Sequence, residues 1–125
     1  MKTAKLSICT LLLLVMSTTI GAQSTAVTNS LQGNDIATFC SYFDDEVRIT
    51  ISQSEGDFSK NTAQNEITNF FAADNLVSFA VIHQGEKNGD EYIIGELKTE
   101  KNEYRMHILV RDANGTPKIQ QIRIN

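Results

Sequence analysis

Residues 58–125 read FSKNTAQNEITNFFAADNLVSFAVIHQGEKNGDEYIIGELKTEKNEYRMHILVRDANGTPKIQQIRIN, and this stretch decides the fold. Its first part has apolar residues at helical spacing, and Ser59 stands where a helix cap is expected. Four segments of alternating apolar and polar residues follow at 78–86, 91–99, 104–111 and 118–124, separated by turn-forming Asn and Gly residues. We predict an α+β fold in which a curved antiparallel sheet, shaped like a cone, packs against N-terminal helices.

The turns set the cross-strand register. A two-residue turn at Asn88-Gly89 predicts the pairs Lys87–Asp90, His83–Ile94, Val81–Glu96 and Ala80–Leu97. A similar turn at Lys101-Asn102 predicts the pairs Leu97–Met106, Gly95–Ile108 and Glu96–His107. For the last hairpin we predict a three-residue bulged turn at Gly115, because it places Ile122 and Ile124 on the apolar face.

Side-chain alternation then sorts the sheet into two faces. The apolar face, on which the helices should lie, carries Ala80, Ile82, Ile93, Leu97, Tyr104, Met106, Ile108 and Val110. The opposite face carries Phe79, Val81, His83, Tyr92, Ile94, Glu96, Lys98, Arg105, His107, Leu109 and Arg111.

The N-terminal half has weaker signals. Asp35–Phe43 has the apolar spacing of a short helix, and Val47 to Ile51 alternate as a first strand. Residues 54–57 are predicted to form a loop. Cys40 falls in the apolar stripe of the short helix, so we expect a buried thiol, with an intermolecular disulfide as the alternative.

The first 22 residues have the features of a secretory signal peptide. Lys2 and Lys5 precede an apolar run from Leu6 to Met16, and Gly21-Ala22 provides small residues for cleavage. The run is too short for a resident membrane span, which needs about 20 residues. We therefore predict a signal peptide at 1–22, one domain at 23–125, and a periplasmic or secreted protein with no membrane insertion after cleavage.

Charge argues against polyanionic partners. The chain carries 11 basic and 15 acidic residues, a net charge of −4, and cleavage would remove two lysines and no acid. An acidic protein without a basic run is not expected to bind nucleic acid.

The chain resembles an uncharacterised family of secreted Bacteroidetes proteins within the nuclear-transport-factor-like superfamily, also called ketosteroid-isomerase-like or cystatin-like. The resemblance rests on Phe43 to Ile51, Phe58-Ser59-Lys60 to Phe70-Phe71, His83-x-Gly85, Tyr92 to Thr99, Tyr104-Arg105 and Gln121 to Ile124. It implies a conical domain, commonly dimeric, with a pocket between sheet and helices. Enzymes of the superfamily place an Asp, His or Tyr in that pocket, whereas many relatives only bind ligands.

A pocket of this kind would be lined by aromatic and aliphatic side chains. The candidates are Phe39, Tyr42, Phe43, Ile67, Phe70, Phe71, Tyr104, Met106 and Ile108. The tyrosines are the only titratable groups among them, and they are more typical of core residues with a solvated hydroxyl than of catalytic groups. We predict no catalytic residue and no cofactor.

The opposite face offers two other candidates. His83, Glu96 and His107 come close together in the predicted register and are weak candidates for a zinc site, although an ordinary polar surface is the simpler interpretation. Phe79, Val81, Ile94 and Leu109 form an apolar stripe on the same face, which is a candidate surface for a homodimer.

Three functions remain open. The favoured one is an exported, non-catalytic domain that binds an apolar small molecule in the cone or a protein on the sheet. A small lyase or isomerase of the ketosteroid-isomerase-like type would need an acid or His inside the pocket. An inhibitor or accessory protein would act through its surface.

Overall fold

The structure, a computed structural model, describes residues 22–125. The expected signal peptide therefore lies outside the described residues, apart from Ala22, where the first helix begins. The elements are α1 (Ala22–Gln32), α2 (Ile36–Ser41), β1 (Phe43–Ile51), β2 (Ser54–Ser59), α3 (Lys60–Ala73), β3 (Leu76–Lys87), β4 (Asp90–Thr99), β5 (Glu103–Ala113) and β6 (Thr116–Ile124).

The predicted α+β class is confirmed, with one difference in topology. The six strands form one sheet in the order β2-β1-β6-β5-β4-β3. All neighbours are antiparallel except β1 and β6, which run parallel, so the first strand of the sheet pairs with the last. The three helices pack on one face, which we call the inner face; the other is the outer face.

The predicted loop at 54–57 is wrong, because these residues belong to strand β2. Ser52 turns the chain with a φ of 54°, and β2 pairs antiparallel with β1. Arg48 on β1 forms ion pairs with Glu55 and Asp57 across this hairpin. The segment has little apolar alternation of its own, so its strand conformation depends on pairing with β1.

Helix α3 ends in a hydrogen-bond cluster around Asp74. The Asp74 carboxylate accepts hydrogen bonds from Thr99 Oγ1 at 2.6 Å, Lys101 N at 2.9 Å and Asn102 Nδ2 at 3.0 Å. Burial raises the pKa of Asp74, but these hydrogen bonds outweigh it and the net pKa lies below the ordinary value. The cluster fixes the turn between β4 and β5.

That turn is longer than predicted. Lys98 pairs with Glu103, so Thr99 to Asn102 form the connection and the register of β4 with β5 differs from the prediction by two residues. Leu97 therefore faces Tyr104, and Glu96 faces Arg105 instead of His107. A shift of two residues leaves every side chain on its predicted face.

A β-bulge at Ile82 overturns the prediction for the first half of β3. The Asn88-Gly89 turn and the pair His83–Ile94 are as predicted, but Val81 pairs with Gly95 and Phe79 with Leu97. One extra residue moves the preceding side chains to the other face. Phe79 is consequently only 3% exposed in the core.

Gly95 makes this arrangement possible. A Cβ at this position would lie 2.5 Å from two carbons of the Phe79 ring, so the ring occupies the space that any other residue would fill. Val81 packs against the same core. Phe79 and Val81 are therefore not part of an outer surface, and their assignment as dimer contacts was wrong.

The last hairpin reaches the predicted face by another route. Ala113 pairs with Thr116, so Asn114-Gly115 form a two-residue turn with φ values of 56° and 87°. The register irregularity lies within the strands instead, where Leu109 pairs with Gln121 and Val110 with Ile119. It restores the alternation, and Ile122 and Ile124 are fully buried as predicted.

Candidate functional site

The expected cone pocket is filled by packed side chains. Four of its predicted lining residues, Phe39, Phe43, Ile67 and Met106, have no accessible surface. A side chain with no accessible surface has no water-sized space beside it, either outside the protein or in an internal cavity. Ile108 and Phe71 are also buried, while Tyr42, Phe70 and Tyr104 pack at the edge of the core.

Helix α1 supplies much of the filling. Val27 and Leu31 on this helix are buried in the same cluster as the pocket candidates. The backbone amide of Ser24 donates a hydrogen bond of 2.8 Å to Glu91 Oε1 on β4, which ties the start of α1 to the inner face of the sheet. The buried residues of α1 therefore help to close the interior.

Within residues 22–125, few titratable side chains are buried. Among the described residues Asp74 is the only charged side chain that is buried, and its carboxylate already accepts three hydrogen bonds. The Tyr104 ring packs against Phe70 with ring centroids 5.5 Å apart. Burial raises the pKa of the Cys40 thiol, which favours its unreactive protonated form.

Both histidines lie on the outer face. His83 Nε2 and the Tyr92 hydroxyl are 3.1 Å apart, and their ring centroids are 5.5 Å apart. Gly85 allows this contact, because a Cβ there would lie 2.7 Å from the Tyr92 hydroxyl oxygen. His107 pairs with Ile94 on one side and with Arg123 on the other.

The candidate zinc ligands do not come together. In the described part of the chain no three His, Cys, Asp or Glu side chains form a group able to hold a metal ion. His83 on β3 and His107 on β5 lie on either side of Ile94 on β4, and Glu96 lies opposite Arg105. The longer β4–β5 turn explains the difference, since it moves His107 away from Glu96.

The outer face does present a partly apolar depression of about 390 Å³. Four half-buried side chains at its centre form what we call the outer patch: Tyr92, Ile94, His107 and Leu109. They are neighbours because Tyr92 pairs with Leu109 and Ile94 with His107. Lys87, Gln121 and the buried Ile93 and Ile108 also line the depression. Lys87 and Gln121 were not singled out from the sequence, although the register of β6 would have indicated Gln121.

Two arginines act on His107 in the outer patch. Burial lowers the pKa of His107, and the nearby charges of Arg123 and Arg105 lower it further. A neutral imidazole is therefore favoured beside the apolar side chains. The patch can offer apolar contact area, one hydroxyl and one imidazole, a set suited to binding more than to proton transfer.

Comparison with known families supplies the classification. The model of the family described as "Domain of unknown function (DUF4783)" matches residues 24–125. The chain belongs to the DUF4783 family. A comparison with curated proteins finds no match to this DUF4783 protein.

Solved structures agree with the classification of the DUF4783 domain. A DUF4783 family protein from Bacteroides uniformis is 27% identical, with a TM-score of 0.74 over 81% of this chain and 94% of that one. Another from Bacteroides fragilis is 23% identical, with a TM-score of 0.73 over 79% and 93%.

A more distant structure places the DUF4783 domain among nuclear-transport-factor-like folds. A hypothetical protein with a ketosteroid-isomerase-like fold from Catenulispora acidiphila, in complex with trimethylamine, is 10% identical. Its TM-score is 0.62 over 83% of this chain and 84% of that one, a likeness in fold alone. No helix within residues 22–125 of the DUF4783 domain is long and apolar enough to cross a membrane.

Proposed function

We propose that the chain is an exported, non-catalytic interaction module whose partner binds the outer patch. The observation that carries the proposal is the contrast between the two faces of the sheet. Packed side chains fill the centre of the inner face, and the helix side has only a depression of about 320 Å³ beside Phe71 and Leu76. The outer face leaves Tyr92, Ile94 and Leu109 in contact with solvent around a depression.

The closed interior argues against a function inside the cone. A small-molecule site of the usual kind needs a cavity of a few hundred Å³ lined by apolar groups. Side chains without accessible surface, such as Phe39 and Met106, leave no such cavity beside them. A lyase or isomerase would also need a pocket acid or base, and Asp74 is committed to the β4–β5 turn.

The outer patch has the composition of a protein contact surface. Interface centres are enriched in aromatic residues and depleted of charge, with polar groups at the rim. Tyr92 combines a large ring with a hydroxyl, and His83 holds that hydroxyl at 3.1 Å, which reduces the entropy lost on binding. Ile94 and Leu109 provide the aliphatic area next to the ring.

Export is part of the proposal because of the N-terminal segment. The basic start, the apolar run and the small residues at Gly21-Ala22 support secretion to the periplasm or beyond. The partner would then be another exported protein, a surface protein or a second copy of this chain.

Site-specific photo-cross-linking in the cells that produce the protein tests this function. A benzophenone amino acid replaces Leu109 in the outer patch, and the matched control replaces Asn65, which is exposed on α3. We expect a discrete adduct from position 109 and none from position 65. The absence of an adduct at 109, or equal adducts at both positions, contradicts the proposal. A small molecule retained inside the purified protein, detected by native mass spectrometry, also contradicts it.

A further inference from the structure

Cationic side chains border the outer patch. Arg123 pairs directly with His107 across β5 and β6, and Arg105 lies two residues before His107 on the same face. Both arginines are exposed, and Lys87 lines the other side of the depression. A partner that covers the apolar side chains must therefore also cover or closely approach these guanidinium groups.

Within the described residues, neither of these two arginines forms an ion pair. The ion pairs there join Arg48 to Glu55 and Asp57, and Arg111 to Asp44. Arg105 lies opposite Glu96 in the register, yet no contact between their charged groups falls within 4 Å. The guanidinium groups beside the outer patch are thus solvated and unpaired, unlike those at the β1 end of the sheet.

Covering such groups determines what a partner must supply. Removing water from an unpaired charge is unfavourable unless an opposing charge with good hydrogen-bond geometry replaces the water. A carboxylate fits a guanidinium with two parallel hydrogen bonds. Resting on the proposed function, we propose that the partner is an acidic polypeptide segment whose carboxylates pair with Arg105 and Arg123 while its apolar side chains pack on the outer patch.

Two other occupants fit the charges less well. A second copy of this chain, placed on a two-fold axis through the patch, would bring the surface that carries Arg105 and Arg123 against the same cationic surface. A nucleic acid would bring a dense line of phosphates to a chain with a net charge of −4, and it would not use the aliphatic surface of Ile94 and Leu109. A polypeptide segment in which carboxylates alternate with apolar side chains matches both the arginines and the apolar surface of the site.

The test uses the full chain as purified from producing cells and a fluorescently labelled octapeptide in which glutamate alternates with leucine and tyrosine. Fluorescence anisotropy measures its affinity, and a peptide with glutamine in place of glutamate is the matched ligand control. We expect the glutamate peptide to bind more tightly, with an advantage that shrinks as ionic strength rises from about 20 mM to about 500 mM.

Arginine variants locate the charge contacts. R105Q and R123Q should each weaken binding of the glutamate peptide by about tenfold, the value of one charge-assisted pair. R111Q removes the same charge from the same strand, but Arg111 is already paired with Asp44 at 3.7 Å, so this control should change the affinity less than about twofold. Thermal melts establish that the exposed substitutions leave the fold intact.

The outcomes separate this inference from the proposed function. Equal affinity for the two peptides, or equal effects of R105Q, R123Q and R111Q, overturns the acidic partner. An adduct at position 109 with the mass of two copies of this chain also overturns the acidic partner. An adduct with another protein whose yield is insensitive to R105Q and R123Q retains the interaction function and rejects the acidic partner. The absence of any adduct at 109 rejects the interaction function itself.

Discussion

The substitution Gly95→Ala is expected to destabilise the fold strongly. The new methyl group would lie 2.5 Å from two ring carbons of Phe79 and 2.9 Å from the carbonyl oxygen of Ala80, whereas ordinary contacts lie at 3.4–4 Å. The ring would have to move by about 1 Å within a close-packed core. The Ala80 carbonyl belongs to the backbone of β3, so the strand itself would have to shift.

Overpacking of this kind costs about 1–3 kcal/mol, and the double obstruction places Gly95→Ala at about 2–3 kcal/mol. A domain of this size has a total unfolding free energy of about 5–15 kcal/mol. The melting temperature should therefore fall by about 10–20 °C. Urea denaturation followed by circular dichroism measures the free energy of unfolding directly.

Two further variants identify the cause. Gly89→Ala also strains a glycine, with a φ of 86°, but meets nothing within 4 Å, so it should cost only about 1 kcal/mol. Phe79→Leu removes the obstructing ring carbons and should partly rescue Gly95→Ala, giving a coupling energy of about 1–2 kcal/mol. If Gly95→Ala costs no more than Gly89→Ala, or if the effects at 79 and 95 add, then Phe79 does not occupy the space beside Gly95.

Two other predictions concern polar groups. Thr28 Oγ1 is buried without a hydrogen-bond partner among the described residues, so Thr28→Val should stabilise the protein by about 1 kcal/mol in urea denaturation. In the same helix, the Ser30 hydroxyl donates a hydrogen bond of 2.6 Å to the Val27 carbonyl, so the control Ser30→Ala should lower the free energy of unfolding by about 1 kcal/mol. If both substitutions lower it, the Thr28 hydroxyl has a hydrogen-bond partner. For His107, the folded pKa lies below the unfolded value of about 6.5, so the unfolded chain binds more protons and stability falls as pH drops below about 6.5. His107→Gln should flatten that part of a melting-temperature profile, and an unchanged slope would show that burial and the arginines do not act on this group.

The helix and the four-strand meander could be predicted because local signals agree with the fold. Asn88-Gly89 adopts the two-residue turn that its positive φ values allow, and this fixes the pairs nearest to it. Strand β2 could not be predicted, since its residues have little alternation and its partner lies on β1. The parallel pairing of β1 with β6 is likewise set by tertiary structure, which no local pattern specifies.

The site was predicted only in part, for a related reason. Tyr92, Ile94, His107 and Leu109 lie on the predicted face because β4 and β5 are shifted by an even number of residues. The bulge at Ile82 shifts the start of β3 by one residue, which exchanged the faces assigned to Phe79 and Ala80. The space that Gly95 leaves for the Phe79 ring could not be predicted, because it depends on a neighbour that the bulge brings to this face.

The pairing of β1 with β6 also constrains how the chain can reach its native state. The hairpin of β1 and β2 joins the rest of the sheet only through β6, the last of these six strands to be synthesised. Contacts between such distant segments require closure of a long loop and slow the folding of a small domain. A growing polypeptide therefore lacks the strand that completes its sheet until β6 has been synthesised, and until then the β1–β2 hairpin has no other strand to join.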